Sequence, residues 1–365
     1  MIILDGSHLE GGGALVRVAL ALSALTGKEF KVINIRAGRE KGGLKAQHLQ
    51  AINALKQICA AETNEIELGS TELYFKPGKV KKGIYEIDIG TAGSITLLLQ
   101  ALLLPCLFAP GKITLKIKGG TCGLGQASVD YLQNILLPQL QRFVEKIELK
   151  IIRRGYYPQG GGEVLFSISP KFKLREYENL NQLLEDLNFR TAKIKLIEQG
   201  QLEQIRGIIN VSQELAEKEV AERIKKSAEN SLKELNAPLT IRTEYSQTLS
   251  IGGEIVLWAI FSHKGKVDFD NPVILGADTL VDKTKSSEQI GKEAAQELKT
   301  EIRSETAVDK HLADQLIQFM ALLPGSELKA STITNHTLTN IYVVEKFLKV
   351  GFKAENNQIK VEEIT

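Results

Sequence analysis

Apolar residues recur at two spacings along the first 170 residues. Segments with apolar positions three and four apart, as on one face of a helix, are followed by short runs in which apolar and polar positions alternate, as in a strand. A helical segment begins near Gly13 and a similar one near Gly93, about 80 residues later, which indicates a repeated βαβαββ unit. The predicted helices are Gly13–Gly27, Leu44–Ala60, Thr91–Phe108 and Ala127–Val144, and the predicted strand regions are Glu29–Gly38, Asn64–Gly78, Lys81–Gly90, Lys112–Gly120, Glu145–Gly155 and Gly162–Pro170.

The composition changes near residue 175, where charged and amide residues become more frequent. This region still contains strand patterns and one long helical pattern, Leu215–Leu235, in which Glu and Lys recur four residues apart. We predict a small inserted α/β domain at residues 181–277. The core would comprise residues 1–180 and 278–365, and the helix and strand patterns after the insert would complete a third βαβαββ unit. The predicted fold class is therefore α+β, with three such units and one inserted domain.

The chain has 365 residues, of which 43% are hydrophobic and 25% charged, and its net charge is only +2. These values are typical of a globular protein, and any contact with nucleic acid must come from local clusters of basic residues. The three cysteines form no CxxC pair, so neither a zinc ribbon nor a disulfide framework is indicated, and a reduced, cytoplasmic setting is expected. The most apolar run, Ser94–Pro110, is too short for a membrane span and predicts a buried helix.

Two stretches near the N-terminus combine glycine with charged residues. In DGSHLEGGGALVR, three glycines precede a helix; backbone N–H groups there could hold an anion, and Glu10 could bind a divalent cation. The alternative interpretation of this stretch is a tight turn with Glu10 as an ordinary surface carboxylate. In NIRAGREKGGLKAQHL, Arg36, Arg39, Lys41 and Lys45 lie within ten residues, and Arg forks suit phosphate oxygens. A solvated basic loop explains this second stretch equally well.

Three further stretches could carry chemistry. IIRRGYYPQGGG contains two tyrosines that could stack a base or could simply pack. HLADQ, at the start of a predicted helix, could contact a ribose or a base, or could hold ordinary polar residues of a first turn. His336, in NHTLTN, could cap a helix, although Asn335 is the better cap, or could be a buried hydrogen-bonded histidine, or a neutral imidazole acting as a nucleophile.

Seven stretches together resemble the RNA 3'-terminal phosphate cyclase family. They occur in the family's order on both sides of the predicted insert, and seven motifs in register are far more specific than one. The stretches are LDGS with EGGG and R, IRAGR with GL and QHL, IGTAGSITLLLQALL, KGGT, GYYPQGGGEV, HLADQLIQFMALL and NHTLTNIYVVEKFL.

The resemblance implies a core of three βαβαββ units, as in enolpyruvyl transferases, and an enzyme that uses ATP and a divalent cation, Mg or Mn. Its substrate would be an RNA 3'-phosphate end, which it converts to a 2',3'-cyclic phosphate through a histidyl-AMP and an RNA-adenylate anhydride. His336 would be the nucleophile and Glu10 the metal ligand. The RNA phosphate would be bound by Arg17, Arg36, Arg39, Gln47 and His48. The nucleotide would be bound by Gln100, His311, Leu312, Ala313, Asp314 and Gln315.

The sequence departs from the family pattern at several positions. Leu9 precedes Glu10 where glycine is usual, Ala14 replaces a glutamine, and Cys122 replaces an aspartate. A proline-rich stretch beside Cys122 is GLGQAS here, next to the implied adenine site, so the resemblance does not fix the nucleotide preference. Two other functions stay open: a non-catalytic RNA-binding relative in ribosome assembly, which would lack the histidine, and an enolpyruvyl transferase, which would need no such histidine. The oligomeric state is not predicted.

Overall fold

The first repeat unit has the predicted order of strands and helices. The computed structural model describes residues 1–9 and 12–364. The elements of this unit are β1 (Ile2–Asp5), α1 (Ala14–Thr26), β2 (Phe30–Ile33), α2 (Ala46–Cys59), β3 (Glu62–Thr63) and β4 (Leu73–Lys76). The sheet order is β1-β2-β4-β3, with β1 parallel to β2 and the other two pairs antiparallel. Helix α1 is largely apolar and is buried by other elements from Ala14 to Leu25, and it ends at Gly27, whose positive φ of 72° suits glycine.

The second unit repeats this connectivity. Its sheet order is β5-β6-β8-β7, again with one parallel pair followed by two antiparallel pairs. The helix α3 begins where the Ser94 hydroxyl accepts the N–H of Leu97, and the predicted Ala127–Val144 helix is interrupted by a π-helical turn, Leu132–Leu136. The elements are β5 (Gly83–Asp88), α3 (Ile95–Leu107), β6 (Ile113–Gly119), α4 (Val129–Tyr131), α5 (Leu137–Leu140), β7 (Val144–Arg153) and β8 (Gly162–Pro170).

A third sheet of the same connectivity is assembled from distant parts of the chain. Its elements are α6 (Leu180–Arg190), β9 (Lys195–Leu196), α9 (Lys310–Met320), β14 (Glu327–Lys329), α10 (Asn335–Phe347), β15 (Val350–Glu355) and β16 (Gln358–Glu363), with α7, α8 and β10 to β13 in the intervening segment described next. The sheet order is β15-β16-β14-β9, and β9 is parallel to β14. Leu196 pairs with Leu328, and Val308 then pairs with Ala330 in the same parallel direction. The first strand of this unit is therefore interrupted between Leu196 and Val308.

The interrupting segment forms its own four-stranded sheet. Its elements are β10 (Gln201–Ser212), α7 (Val220–Leu232), β11 (Leu239–Ser246), β12 (Gly253–Ser262), β13 (Ile274–Leu280) and α8 (Ser287–Arg303). The sheet order is β11-β10-β12-β13, and α7 and α8 pack against each other beside it. The α+β class with three repeat units and an inserted α/β unit is thus confirmed. The predicted domain limits, 181–277, stay a prediction, while strand pairing marks the interruption at 197–307.

Two local predictions differ from the structure. The long helix expected at Leu215–Leu235 begins only at Val220, because Glu219 has a positive φ of 50° and the preceding residues 213–218 form a 3-10 helix. Helix α8, which the sequence pattern assigned to the third unit, packs instead on α7, β12 and β13. Its buried residues include Ile290, Ala294 and Leu298, and at Gly291 its backbone comes close to Ile224 and Ala228 of α7.

The helices of the three units meet in the centre of the core. Helix α1 packs against both α3 and α10, and α10 packs against α9. The ring of His8, which follows β1, stacks on Tyr342 of α10 with 4.0 Å between ring centroids. This contact links the segment before α1 to the second half of α10, and most of the predicted site residues lie on α1, α3, α9 and α10.

Candidate active site

The start of α1 faces the buried side of α2. Gly13, which precedes the first residue of α1, lies so close to its neighbours that an added Cβ would be 2.8 Å from Nη1 of Arg17 and 2.9 Å from Cε1 of His48. Glycine is therefore required here by space, since its φ of −84° is open to any residue. The three residues form one cluster, which was predicted in part from the sequence.

His48 is a neutral imidazole with a defined tautomer. Its Nδ1 accepts the N–H of Lys45 at 3.0 Å, so the ring proton must be on Nε2. The side chain is buried, and Nε2 has no hydrogen-bond partner among the described residues. Burial, together with the nearby charges of Arg17, Arg36 and Lys45, lowers the pKa of His48 to about 3. A buried N–H donor beside three cations is suited to an anion.

Arg17 connects this cluster to the second unit. Its Nε donates to Oε1 of Gln100 on α3 at 2.8 Å. Gln100 was expected at the nucleotide, whereas its side-chain oxygen accepts from Arg17 of the predicted RNA-phosphate group. Gln47 is half-buried, and its Cβ lies 3.8 Å from where a Cβ on Gly93 would be, so the loop before α3 also borders the cluster.

The loop after β2 supplies the remaining predicted arginines. Arg36 has a positive φ of 57° and donates from Nη1 to the carbonyl oxygens of Lys41 at 2.6 Å and Gly43 at 3.2 Å. These bonds fold the basic loop back on itself and hold Arg36 half-buried near His48. Arg39 is on the exposed outer turn of the same loop. Glu10, the predicted metal ligand, lies outside the described residues.

A second group of predicted residues lies at the starts of α9 and α10. His311 and His336 are each the second residue of a helix, and both are half-buried. Burial lowers the pKa of His311, with Lys310 and the nearby His336 acting in the same direction and Asp309 opposing. The amide of Asn340 on α10 donates to the carbonyl of Asp314 on α9 at 2.8 Å, so the two helix starts are held side by side.

The cap of α10 differs from the prediction. The N-cap is Thr334, whose hydroxyl accepts the N–H of Thr337 at 3.2 Å, and Asn335 is the first helical residue. His336 is therefore neither the cap nor sealed in the apolar core. The N–H groups of the first turn and the helix dipole make this end of α10 favourable for negative charge.

The first turn of α9, with the sequence HLADQ at residues 311–315, has both buried and partly exposed side chains. Leu312 and Ala313 are fully buried in the core, and the amide of Gln315 donates back to the carbonyl of His311 at 3.0 Å. The half-buried side chains of the turn are His311 and Asp314. Within the HLADQ turn, these two are the residues whose side chains are accessible to a ligand.

The sequence analysis missed the residue that fixes this turn. Asp309 caps α9 by accepting the N–H groups of His311 and Leu312, both at 2.9 Å, and it also accepts the hydroxyl of Tyr131 at 2.6 Å and the N–H of Gly276 at 2.9 Å. It thus joins the second unit, the inserted sheet and α9. An aspartate directly before a helix is the usual sequence signal for such a cap, but its distant partners cannot be read from spacing.

Comparison with known proteins identifies the family. The family model described as RNA 3'-terminal phosphate cyclase matches residues 8–354. The chain belongs to the RNA 3'-terminal phosphate cyclase family. The resemblance noted in the sequence is thereby confirmed.

Several curated relatives with this name cover nearly all of the chain. The RNA 3'-terminal phosphate cyclase of Pyrococcus furiosus is 40% identical over 360 residues, which is 97% of this chain and 95% of that protein. The protein of the same name from Archaeoglobus fulgidus is 39% identical over 364 residues, 99% of this chain and 100% of its own length. That of Pyrococcus abyssi is 41% identical over 348 residues, 95% and 93% of the two chains.

Cys122, a departure from the cyclase family pattern, is a buried residue. Burial raises the pKa of its thiol well above the usual value, with Glu254 adding to the effect, so the thiol stays protonated and unreactive at neutral pH. Beside it, the buried Arg154 pairs with Asp130 and lies 3.6 Å from Glu254. These groups lie where the second unit meets the inserted sheet, and they have a structural role as an ion-pair cluster.

Neither a metal cluster nor a membrane span is found in the described part of the chain. No group of three or more His, Cys, Asp or Glu side chains with metal-binding geometry occurs at residues 1–9 and 12–364. No helix within those residues has the length and apolarity that crossing a membrane requires.

Proposed function

We propose that this chain is an ATP-dependent RNA 3'-phosphate cyclase that forms a covalent bond between His336 and AMP. The observation that carries the proposal is the position of His336, half-buried on the first turn of α10 and close to His311 at the start of α9. An imidazole buried in the core could not reach phosphorus, whereas one at a helix start has backbone N–H groups beside it that favour phosphate charge. Membership of the cyclase family supports the reaction class.

The chemistry has three displacements at phosphorus. A nitrogen of neutral His336 attacks the α-phosphorus of ATP, an N–P bond forms, and pyrophosphate leaves. An oxygen of the RNA 3'-phosphate then attacks the same phosphorus and breaks the N–P bond, which restores the imidazole. The neighbouring 2'-OH finally attacks the 3'-phosphorus and expels AMP, and its proton passes to solvent. The last step is intramolecular, for which effective molarities can reach about 10⁵ M or more.

The cluster around His48 is proposed to hold the RNA 3'-phosphate. The Nε2–H of His48 and the guanidinium of Arg17 supply buried donors, and Arg36 and Gln47 border them. Because His48 is neutral, the cluster offers a directed hydrogen bond without adding a further positive charge beside the arginines. Arg39, exposed on the same loop, would meet the RNA at the outer side of the site.

The nucleotide and metal assignments rest on the donor set. His311 and Asp314 lie on the turn beside His336, and together with Gln100 they are proposed to contact ATP. The side chains of Leu312, Ala313 and Gln315 are buried, so these residues would support the site through their backbone and packing only. The buried amide oxygen of Asn340, which has no hydrogen-bond partner among the described residues, is an acceptor at this junction and fits a ribose hydroxyl. A divalent cation, Mg or Mn, would neutralise the leaving pyrophosphate, with Glu10 as the proposed ligand.

Cys59, Cys106 and Cys122, all free thiols, support a cytoplasmic setting.

Incubation with ATP labelled at the α-phosphate tests the proposal. The protein should retain label in an acid-labile form in the presence of Mg or Mn, and His336→Asn should abolish it. His263→Asn is the matched control, because His263 is exposed at the turn between β12 and β13. Absence of label on the wild-type chain would favour a non-catalytic RNA-binding relative, and label that persists in His336→Asn would move the nucleophile elsewhere.

A further inference from the structure

The glycine-rich turn between β7 and β8 contains an exposed tyrosine, Tyr157, and a buried one, Tyr156. We call residues 156–161 the Tyr157 loop. Tyr156 is buried, and its hydroxyl bonds to the side chain of Asn210 on β10. Tyr157 is 80% exposed. A large apolar ring held in solvent by an anchored neighbour is a candidate contact for a ligand.

The Tyr157 loop lies between the predicted RNA-phosphate site and the inserted sheet. An added Cβ on Gly160 would be 2.7 Å from the carbonyl oxygen of Thr91, in the loop that leads to Gly93 and Gln47. On its other side, the N–H of Gln159 donates to the Ser250 hydroxyl at 3.1 Å. Both contacts are with loops, so Tyr157 is held at the border between the core and the insert.

A polar cleft lies beside Arg153 and Arg154, which precede this loop in the chain. It has a volume of about 560 Å³ and lies between β7 and β11, and none of its lining residues belongs to the predicted site. Arg154 forms part of its wall and is neutralised by Asp130. Lys150 and Arg153 also line it, are exposed, and have no ion-pair partner among the described residues. The cleft reaches Gln247, beside the 249–252 segment that packs on the Tyr157 loop.

An exposed aromatic ring followed by a groove with unpaired cations is the arrangement that binds single-stranded nucleic acid. Bases stack on the ring, and the backbone phosphates lie along the groove. We propose that the RNA strand upstream of the 3'-phosphate stacks one base on Tyr157 and then enters the cleft beside Lys150 and Arg153, so that the insert forms one wall of an RNA track. This inference rests on the proposed function, because that function places the RNA end near Gln47 and His48.

Binding measurements with short RNAs test the stacking contact without requiring catalysis. Tyr157→Ala should weaken binding of a 3'-phosphorylated decanucleotide about five- to thirtyfold, and Tyr157→Phe should bind nearly as well as the wild type. A 2-aminopurine in the third or fourth position from the 3' end should lose fluorescence on binding to the wild type and keep it with Tyr157→Ala. The matched control is Phe269→Ala, because Phe269 is 90% exposed but lies beyond the other end of β12, a ten-residue strand about 30 Å long.

The cleft is tested by the salt dependence of the same binding. Lys150→Ala combined with Arg153→Ala should reduce the slope of log affinity against log salt by about 1.4, since each phosphate contact on a single strand contributes about 0.7. Lys264→Ala combined with Lys266→Ala, at the far end of β12, should leave the slope unchanged. Unchanged affinity in Tyr157→Ala, or an unchanged slope in the cleft variant, would overturn the track. Failure of the wild type to take label from ATP would instead overturn the proposed function, so the two failures are distinguishable.

Discussion

Gly13, Arg17 and His48 form the cluster that is proposed to bind the RNA 3'-phosphate, here called the anion cluster. Replacing Gly13 with alanine should disturb this anion cluster and leave most of the fold intact. The added methyl would be 2.9 Å from Cε1 of His48 and 2.8 Å from Nη1 of Arg17, whereas carbon atoms in contact are normally about 3.5 Å or more from such neighbours. His48 is 1% exposed and is tied to the N–H of Lys45, so its ring has little room to retreat. The φ of −84° allows alanine, so the perturbation is one of space. Overpacking of this kind costs about 1–3 kcal/mol of folding stability.

The functional effect of Gly13→Ala should be larger than the effect on stability suggests. If His48 turns away, the site loses one hydrogen bond to a charged phosphate, worth about 1.5–3 kcal/mol, or at least tenfold in affinity. The assay compares binding of two RNAs that differ only in a 3'-phosphate or a 3'-hydroxyl end. Gly42→Ala is the control, because a Cβ there meets its nearest neighbour, the carbonyl of Arg36, at 3.4 Å. A folded Gly13→Ala variant with the full preference for the 3'-phosphate end would refute this account of the cluster.

Four further predictions concern single residues. The pKa of His48 is about 3 in the folded chain and 6.5 ordinarily, so the unfolded chain binds the extra proton between these values. The contribution of neutral His48 to the free energy of unfolding should therefore be fully present above pH 6.5 and fall towards pH 3 by up to about 1.4 kcal/mol per pH unit. Urea titrations of His48→Gln should show a flatter pH dependence. Thr334→Ala should lower the free energy of unfolding by about 0.5–2 kcal/mol through loss of the α10 cap, with Thr334→Ser as the retained control in thermal melts. Arg39→Ala should spare labelling by ATP and slow RNA cyclisation, and equal loss of both rates would contradict its assignment to the RNA phosphate. Asp130→Asn should destabilise the chain by about 3–5 kcal/mol in denaturant titrations, because it leaves the buried charge of Arg154 without its main partner, and a loss below 1 kcal/mol would contradict that role.

Local sequence pattern was enough for α1, α2 and α3, although not for the interrupted helix at α4 and α5. The segment from Gly13 to Gly27 has the spacing, the glycine stop and the apolar character of α1, and the structure places the helix at Ala14–Thr26. These signals act over a few residues and are therefore visible in the sequence. The limits of the two-residue strand β9 could not be predicted in the same way, because they are set by pairing with β14, more than a hundred residues away.

The candidate site shows the same division between local and distant causes. The family motifs named the residues, and the structure brings Arg17, Gln100 and His48 into one cluster and His311 and His336 into another. The tautomer of His48 could not be predicted, because it depends on a single hydrogen bond from the backbone of Lys45. Helix α8 was assigned to the wrong neighbours, because an amphipathic stripe shows that a face is buried but not which surface covers it.

The position of the inserted segment explains how the core tolerates it. Leu196 and Val308 pair in the same parallel direction with β14, at Leu328 and Ala330, so the two ends of the insert are adjacent and the strand continues across it. A long insertion whose ends already lie together adds little closure entropy, since the cost rises only with the logarithm of length. The core can therefore keep its strand order while the insert changes its own surface. Because the loop at Ser250 packs on the Tyr157 loop, that surface lies next to the path that RNA would take from the anion cluster. We therefore expect changes in the Ser250 loop of the insert to alter the proposed RNA preference, while β13 of the insert stays tied to α9 through the bond from Gly276 to Asp309.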